Sequence, residues 1–313
     1  MTQIKPLSSM QTPRFADVAT FFRLPIMKDL KKLDYCISGV PWDGGTTNRP
    51  GARHGPREIR NASSLVRLYH PVSLQSPYDK FNIADIGDCP VNPADLQDSL
   101  KKIEQFYSNI SESKTIPLSI GGDHLITLPI LRGIAKNKPL GLFQFDSHSD
   151  TWDTYFGGFK YTHGTPFRRA IEENLIDPKK YVILGLRGSL YDPDDLNWAK
   201  KQGVTIITID EYYEMGFNKC IEKIYKILDS TDTYFTFDID GIDPTFAPGT
   251  GTPEVGGFNV REAQTIIRAL NKINFVGGDV VEVSPPFDLN NMTSLVAATV
   301  AFEILCTMTK ANN

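Results

Sequence analysis

Short apolar stretches rich in β-branched residues recur along the chain at fairly even intervals. The eight stretches are Tyr35–Val40, Phe81–Ile86, Ile116–Ile120, Leu140–Phe145, Tyr181–Leu186, Val204–Ile209, Tyr234–Phe237 and Phe275–Val283. Near-continuous apolarity is typical of strands that are buried on both faces of a sheet. Segments with helical spacing of apolar residues lie between most of them: Asp95–Ser108, Leu125–Ala135, Asp192–Gln202, Cys220–Leu228 and Val260–Asn271. This alternation predicts an α/β fold with a parallel sheet and helices on both faces.

The chain of 313 residues contains no Pro/Ser-rich linker and no internal repeat. Folds built on one large α/β sheet often reach this length as a single domain. The first 30 residues mix helix breakers with aromatic side chains, which is typical of an arm or a lid. We therefore expect an N-terminal arm over residues 1–30 and a single domain over residues 31–313.

Composition and charge exclude several classes of partner. A net charge of −4 and the absence of a dense Lys/Arg run argue against binding to nucleic acid. The four cysteines form no C-x-x-C pair, so we expect neither a disulfide framework nor a thiolate zinc site. The N-terminus has no signal-peptide pattern, and no apolar run reaches the roughly 18 residues of a membrane span. The sequence thus predicts a cytoplasmic protein without a membrane partner.

Polar residues that can bind metals begin where three of the apolar stretches end. They are GGDH at residues 121–124, DSHSD at residues 146–150 and DIDGIDP at residues 238–244. The carboxyl ends of parallel strands meet at one edge of a sheet, where ligands bind. Any one fragment alone is as compatible with helix capping as with metal binding. Together they predict that the three segments converge on one site.

The spacing within these segments favours a metal centre. Alternate residues of an extended segment point to the same side, so Asp146, His148 and Asp150 can face the same ions, as can Asp238 and Asp240. Two carboxylates about 4 Å apart repel each other by roughly 4 kcal/mol at an effective dielectric constant of 20. Two divalent cations would neutralise four aspartates. Oxygen and imidazole ligands without sulfur favour Mn²⁺, with Ni²⁺, Co²⁺ or Fe²⁺ as alternatives.

These motifs, in this order and spacing, resemble the ureohydrolase family of arginases and agmatinases. The resemblance extends over most of the chain and includes PWDGGTTNRPGARHGPREIR at residues 41–60, THGTP at 162–166, PGTGTPEVGG at 248–257 and VEVSPP at 281–286. It implies the arginase-type three-layer fold, an eight-stranded parallel sheet between helices. It also implies two metal sites that share Asp146 and Asp238: His124, Asp146, Asp150 and Asp238 for one ion, and Asp146, His148, Asp238 and Asp240 for the other.

The resemblance further implies the hydrolysis of a guanidino compound to urea and an amine, with Asp150 among the catalytic residues. Two metals lower the pKa of a bridging water towards about 7 and so supply hydroxide. Glu282 would orient and compensate the guanidinium, although a capping or surface carboxylate is the simpler alternative. His163 would protonate the leaving amine, and its unperturbed pKa near 6.5 suits that task.

The sequence leaves the tail of the substrate open. Residues 157–162, GGFKYT, depart from the Ser/Gly/Asn-rich segment with which arginases hold an α-amino acid. The chain looks closer to the branch of agmatinases and guanidino-acid hydrolases. Asp153 can meet the ammonium of agmatine, whereas Lys160, Arg168 or Arg169 can pair with the carboxylate of 4-guanidinobutyrate or 3-guanidinopropionate. The aromatic residues Trp152, Tyr155 and Phe156 can line a pocket for an alkyl tail or pack the loop.

An agmatinase-like activity is therefore the first prediction, and guanidino-acid hydrolysis is the alternative. Guanidine hydrolase, arginase and formimidoylglutamase are weaker candidates. A one-zinc deacetylase on the same fold is disfavoured by the six metal ligands. A phosphoesterase is disfavoured because no cluster of arginines stands at the strand ends to hold a phosphate. A non-catalytic relative would lack a ligand, Glu282 or His163. The resemblance also predicts self-association, as a trimer or hexamer.

Overall fold

A computed structural model describes residues 4–135 and 138–310. Its eight strands form a single parallel sheet in the order β2-β1-β3-β8-β7-β4-β5-β6. The strands are β1 Tyr35–Val40, β2 Ile83–Asp88, β3 Ile116–Gly121, β4 Leu140–Phe145, β5 Ile176–Leu186, β6 Thr205–Thr208, β7 Thr233–Asp238 and β8 Phe275–Val281. Each predicted apolar stretch overlaps one of these strands, which confirms the predicted sheet.

Helices cover both faces of the sheet and complete the predicted three layers. They are α1 Gly55–Ser63, α2 Leu96–Glu112, α3 Thr127–Ile134, α4 Pro166–Glu172, α5 Asn197–Gln202, α6 Ile209–Met215, α7 Phe217–Leu228, α8 Val260–Ala269 and α9 Met292–Met308. One apolar core joins the sheet to α1, α7, α8 and α9, and the other joins it to α2, α3 and α4. Among the described residues, none of these helices has the length and apolarity needed to cross a membrane.

Two boundaries differ from the prediction for local reasons. The helix predicted from Asp192 begins only at Asn197, because the side chain of Asp192 accepts a hydrogen bond from Asp194 N (2.9 Å) and closes a turn. The stretch predicted to remain extended to Ile209 ends at Thr208. There the Thr208 and Glu211 side chains form a reciprocal cap that starts α6.

Helix α9 was not predicted, because it is apolar on every side. Nearly all its residues from Thr293 to Met308 are buried. A helix buried all round has no polar stripe and therefore no helical periodicity of hydrophobic residues. Its one buried charge, Glu303, is paired with Arg268 of α8 and lies 3.1 Å from His70.

The N-terminal segment lies along β2, at the edge of the sheet. The backbone of Asp85 pairs with Met27 N (3.0 Å) and Pro25 O (3.2 Å), and its carboxylate accepts a hydrogen bond from Phe21 N (3.0 Å). Phe21, Phe22 and Leu24 are buried against the body of the protein. The N-terminal segment therefore packs on the body of the protein through these residues. Met10 and Phe15, which precede them in the chain, are exposed.

The strand order brings the polar strand ends together. Strands β3, β8, β7 and β4 are consecutive neighbours in the sheet. The segments that follow them begin at Gly122, Glu282, Ile239 and Asp146. Since all four strands run in the same direction, these segments meet at one edge of the sheet, as expected for an α/β ligand site.

Candidate metal centre

The first cluster consists of His124 and three aspartates, all buried. The His124 Nδ1 atom lies 3.2 Å from Asp146 Oδ2, 2.9 Å from Asp150 Oδ2 and 3.2 Å from Asp238 Oδ2. One ligand atom from each of the four residues falls within 4.8 Å of the others. The structure therefore brings together all four residues that the sequence assigned to one ion.

The second cluster consists of Asp146, His148 and Asp240. The His148 Nδ1 atom lies 3.1 Å from Asp240 Oδ2 and 3.7 Å from Asp146 Oδ1. The two oxygens of Asp146 thus face the two histidines, as the predicted bridge requires. Asp238 differs from the prediction: it belongs to the first cluster alone, and its Oδ1 atom accepts a hydrogen bond from Asp240 N (2.8 Å).

Side chains inside the strands orient these aspartates. Gln144 of β4 donates its amide to Asp146 Oδ2 (2.6 Å), and Tyr181 of β5 holds Gln144 in place. The Ser147 hydroxyl donates to Asp240 Oδ1 (2.6 Å). Asp150 has a positive φ of 50°, which a loop tolerates when its surroundings fix it. The carboxylates are therefore held in place by their neighbours, as metal ligands usually are.

The surroundings of the two ring nitrogens of His124 suit a cation in the first cluster. Its Nε2 atom lies 2.7 Å from the Thr236 hydroxyl, and that hydroxyl donates to Asp279 Oδ1 (2.6 Å). The hydroxyl hydrogen is thus in use, and Thr236 accepts the hydrogen of His124 Nε2. The buried Nδ1 atom has no hydrogen-bond partner among the described residues and faces three carboxylates. Burial lowers the pKa of His124, but these carboxylates outweigh burial and raise it, so positive charge is favoured at this point; a bound cation would supply that charge and take the Nδ1 lone pair. A lone pair and carboxylates that face one another are suited to a divalent cation.

Electrostatics lead to the same conclusion. Burial, with repulsion from Asp150 and Asp240, raises the pKa of Asp146 to about 7. Burial, with repulsion from Asp240 and Asp146, raises the pKa of Asp238 well above its ordinary value. Buried carboxylates crowded in this way resist ionisation unless positive charge is supplied. Two cations would provide that charge.

Glu282 and His163 form a pair next to the first cluster. Glu282 Oε1 accepts hydrogen bonds from His163 Nδ1 (3.0 Å) and from His124 N (2.8 Å). Within the described part of the chain, Glu282 Oε2 accepts none. Burial lowers the pKa of His163, but the Glu282 carboxylate outweighs burial and raises the pKa to about 9. The Glu282 backbone is left-handed, with φ of 64°, where the chain leaves β8.

Thr47, a residue that sequence reasoning missed, contacts the other side of the His163 ring. Its hydroxyl lies 2.7 Å and its backbone nitrogen 3.2 Å from His163 Nε2. The loop that carries Thr47 is anchored to the same histidine, because His163 N donates to Gly45 O (2.9 Å). The only available signal was the position of Thr47 within the Gly-rich segment at residues 41–60.

A cavity of about 350 Å³ opens onto both clusters. Its wall combines residues of the clusters with hydroxyl and aromatic side chains, among them Asp150, Asp238, Asp240, His148, His163, Thr47, Trp152, Tyr155 and Tyr191. The Trp152 ring packs edge-on against Tyr191, with 5.5 Å between centroids, and against Tyr155 at 6.4 Å. Glu282 is buried, and its Oε1 atom contacts the wall residue His163 (3.0 Å). Trp152 and Tyr155 therefore line the cavity, which is one of the two alternatives that the sequence left open for them.

Asp153, which was predicted to bind substrate, does not reach the cavity wall. Its carboxylate accepts a hydrogen bond from Arg169 (3.0 Å), and its side chain is 57% exposed. Arg168 and Arg169 are also paired with Glu172. Neither the predicted ammonium partner nor these two predicted carboxylate partners are available to a ligand, because the arginines and acids neutralise one another outside the cavity.

Arg187 is a residue of the wall that sequence reasoning missed. Its guanidinium donates to the backbone carbonyls of five residues: Gly185, Asp240, Gly241, Ile242 and Glu254. It thereby joins the end of β5 to the segment that carries Asp240. Its place immediately after the apolar stretch ending at Leu186 is the same signal that revealed the aspartates.

Comparison with known proteins supports a functional role for this site. A family model described as "Arginase family" matches residues 33–307. A guanidinopropionase of Pseudomonas aeruginosa is 52% identical over 307 residues, which are 98% of this chain and 96% of that protein. A guanidinobutyrase of the same organism is 43% identical over 308 residues, 97% of this chain and 96% of that protein.

Solved structures extend the likeness to three dimensions. The proclavaminate amidinohydrolase of Streptomyces clavuligerus superposes with a TM-score of 0.91 at 38% identity, over 96% of this chain and all of that chain. Among the sequence relatives, an agmatinase of Gallus gallus is 41% identical over 97% of this chain and 89% of that protein. The relatives thus include proteins named for guanidino substrates with carboxylate tails and with amine tails.

Proposed function

Because the chain belongs to the Arginase family, whose model spans residues 33–307, we propose that it hydrolyses a linear guanidino compound to urea and an amine. The substrate we propose is a short guanidino acid, with 3-guanidinopropionate first and 4-guanidinobutyrate second. The two clusters would hold two divalent cations: His124, Asp146, Asp150 and Asp238 around one, Asp146, His148 and Asp240 around the other. Such a centre lowers the pKa of water enough to supply hydroxide at neutral pH.

The observation that carries the proposal is the unused oxygen of Glu282. Its Oε1 atom is fixed by His163 and His124, so the carboxylate cannot rotate freely. Its Oε2 atom accepts no hydrogen bond from the described residues. A buried carboxylate oxygen can accept hydrogen bonds from a planar guanidinium and compensate its charge. Glu282 would thereby hold the guanidinium beside the metal centre.

His163 is suited to protonating the amine that leaves. The Glu282 carboxylate stabilises the imidazolium and raises the pKa of His163 to about 9. In the structure, Nε2 accepts a hydrogen bond from Thr47 N (3.2 Å), so the ring takes up a proton at Nε2 before it can donate one. Its Nδ1 hydrogen is committed to Glu282, so a proton that is transferred must come from Nε2, on the side of Thr47 and the cavity. Thr47 can satisfy Nε2 in either charge state, since a hydroxyl both donates and accepts.

Replacing Thr47 with Val tests this role of the loop. We expect kcat to fall by about 10–100-fold, because a hydrogen bond to a charged group contributes about 1.5–3 kcal/mol. Thr47→Ser keeps the hydroxyl and should remain close to the wild type. The measurement is the steady-state release of urea, with metal content determined alongside. A Thr47→Val protein with unchanged kcat would show that His163 acts without Thr47.

The tail of the substrate is proposed from the relatives and from the wall of the cavity. Proteins 52% and 43% identical to this chain are named for guanidinopropionate and guanidinobutyrate. The wall also offers neutral donors, such as Asn48, Ser189 and the Tyr191 hydroxyl, that can meet a carboxylate. The guanidinium of Arg187 is committed to backbone carbonyls, so it is not a partner for the tail.

Agmatine is the second candidate, because one acidic side chain lines the cavity. Glu254 lies in the wall, with its Oε1 atom 4.0 Å from His148 Nε2 and about a third of its side chain exposed (31%). A carboxylate in this position can attract the ammonium at the end of agmatine and repel the carboxylate of a guanidino acid.

A substrate panel distinguishes the two candidates. Urea release would be measured with 3-guanidinopropionate, 4-guanidinobutyrate, agmatine, guanidine and arginine, each with Mn²⁺ or Ni²⁺. We expect kcat/KM for a guanidino acid to exceed that for agmatine by at least about 10-fold, which is 1.4 kcal/mol. Glu254→Gln should then leave or increase activity on the acid. If agmatine is preferred and Glu254→Gln abolishes the preference, the amine is the substrate. If no compound of the panel releases urea, the proposed hydrolysis of a guanidino compound is wrong.

The finer properties of the protein are part of the same proposal. Mn²⁺ is the proposed metal, supported by a ligand set of carboxylates and imidazoles without thiolates. Self-association as a trimer or hexamer is proposed from membership of the Arginase family. A cytoplasmic location is supported by four buried free cysteines.

A further inference from the structure

A buried carboxylate of β8 lies close to the metal centre. A single side chain, that of Thr236, links it to His124. Asp279 has no exposed surface, and three hydroxyl groups surround it. Thr236 lies 2.6 Å from Oδ1, whereas Thr127 and Tyr234 lie 2.7 Å and 2.9 Å from Oδ2. Burying a carboxylate without such partners is costly. The position is therefore built to hold an acidic side chain inside the sheet.

The two oxygens of Asp279 accept hydrogen bonds from different parts of the protein. Oδ2 is bound by Thr127 of α3 and Tyr234 of β7, which fix the carboxylate in the protein interior. Among the residues that the structure describes, Oδ1 accepts a hydrogen bond from the hydroxyl of Thr236 alone. Because this hydrogen is directed to Asp279, the Thr236 oxygen presents a lone pair to His124 Nε2, 2.7 Å away.

This arrangement determines how His124 meets the first cluster. The Nε2 atom carries a ring hydrogen, so when a cation is bound Nδ1 would present its lone pair to that cation, among the oxygens of Asp146, Asp150 and Asp238. The edge-on ring of Phe167, with a centroid distance of 4.9 Å and an interplanar angle of 87°, restrains the same imidazole. The opposite tautomer would direct a hydrogen to the place where the cation binds.

We propose that Asp279 is a positioning residue that acts through Thr236 to set the tautomer and orientation of His124, and thereby the affinity of one of the two cations. The inference rests on the proposed dinuclear centre. The other cluster contains His148, whose ring lies near Ser147, Asp240, Asp146 and Glu254; within the described part of the chain, no hydrogen bond joins it to Asp279 or Thr236. The effect should therefore be confined to one binding step.

Four variants test the proposal. Thr236→Val removes the hydroxyl at nearly the same volume, and Thr236→Ser restores it. Asp279→Asn presents an amide that can donate to the Thr236 oxygen, which frees the Thr236 hydrogen to point at His124 Nε2. Thr127→Val is the matched control, because it removes a hydroxyl from the other oxygen of Asp279 and leaves the path to His124 intact.

The full chain, freed of metal with a chelator, would be titrated with Mn²⁺, and free Mn²⁺ would be followed by electron paramagnetic resonance. Partners of metal-binding histidines typically change metal affinity by about 10–100-fold. We expect Thr236→Val and Asp279→Asn to weaken one of two binding steps by that factor and to leave the other step unchanged. Thr236→Ser and Thr127→Val should resemble the wild type in both steps. Circular dichroism of each apoprotein reports its folding.

The outcomes separate the inference from the metal centre itself. If the wild type binds two Mn²⁺ ions and Thr236→Val binds both equally tightly, the inference is wrong and the centre stands. If Thr127→Val weakens binding as much as Thr236→Val does, the network is merely structural, and the inference is again wrong. If the wild type binds no Mn²⁺, both the proposed dinuclear centre and this inference are wrong. Should Thr236→Val fail to fold, Asp279→Asn and its comparison with Thr127→Val decide the matter.

Discussion

Replacing Asp146 with Asn is expected to reduce urea release by at least about 10³-fold and to lower the bound metal from two ions to one or none. Asp146 faces both histidines, His124 through Oδ2 and His148 through Oδ1, so both proposed ions lose a charged ligand. Loss of a metal that polarises the reacting groups removes several kcal/mol of transition-state stabilisation, and each 1.4 kcal/mol corresponds to tenfold in rate. Metal analysis by mass spectrometry and a urea assay measure the two effects.

Folding should survive this change, because Asn keeps the size of Asp and relieves the repulsion that raises the pKa of Asp146. Asp153→Asn is the matched control. It changes an aspartate on the same loop that is paired with Arg169 outside the cavity wall, so metal content and kcat should remain close to the wild type. Full retention of two metals by Asp146→Asn would refute its assignment as a bridging ligand.

The second large effect is expected for Glu282→Gln. Gln keeps an acceptor for His163 Nδ1 and His124 N but turns an amide donor towards the substrate. Loss of one partner from a buried, hydrogen-bonded pair of charges costs about 2–5 kcal/mol, so kcat/KM should fall by about 10²–10³-fold. The bound metal should remain at two ions, because Glu282 is in neither cluster.

The same substitution elsewhere in the cavity provides the control. Glu254→Gln also exchanges a glutamate for an amide, but Glu254 is not held against His163. With a guanidino acid as substrate, it should change kcat/KM by less than about 10-fold. If Glu282→Gln retains the activity of the wild type, or if it loses metal as Asp146→Asn does, Glu282 does not act by holding the guanidinium.

The fold could be predicted from sequence as far as hydrophobic patterns report it. The strands are buried on both faces, so each appeared as a continuous apolar stretch, and all eight were found. Helix α9 escaped because a helix that is buried all round has no polar face to mark its period. The late start of α5 depends on a turn closed by the Asp192 side chain, which competes with the helix for the same residues.

The residues of the site were predictable where they follow strands and unpredictable where they lie within them. The six proposed ligands stand at strand ends and were identified together. Gln144, Thr236 and Asp279 interrupt otherwise apolar strands, and their polarity was a signal for buried partners that the strand-end argument did not use. Asp153 lies outside the cavity wall because its carboxylate pairs with Arg169 of α4. Only the three-dimensional structure defines this pairing.

Arg187 has a consequence for the chemistry of its own protein. The chain carries a guanidinium in the wall of a cavity that we propose receives guanidino groups. All five N–H donors of an arginine side chain can be used by the backbone carbonyls that surround it here. None is left to bind Glu282 in competition with an incoming molecule. The backbone thus holds the guanidinium of Arg187 in the wall, so it does not compete with the guanidino substrate that we propose.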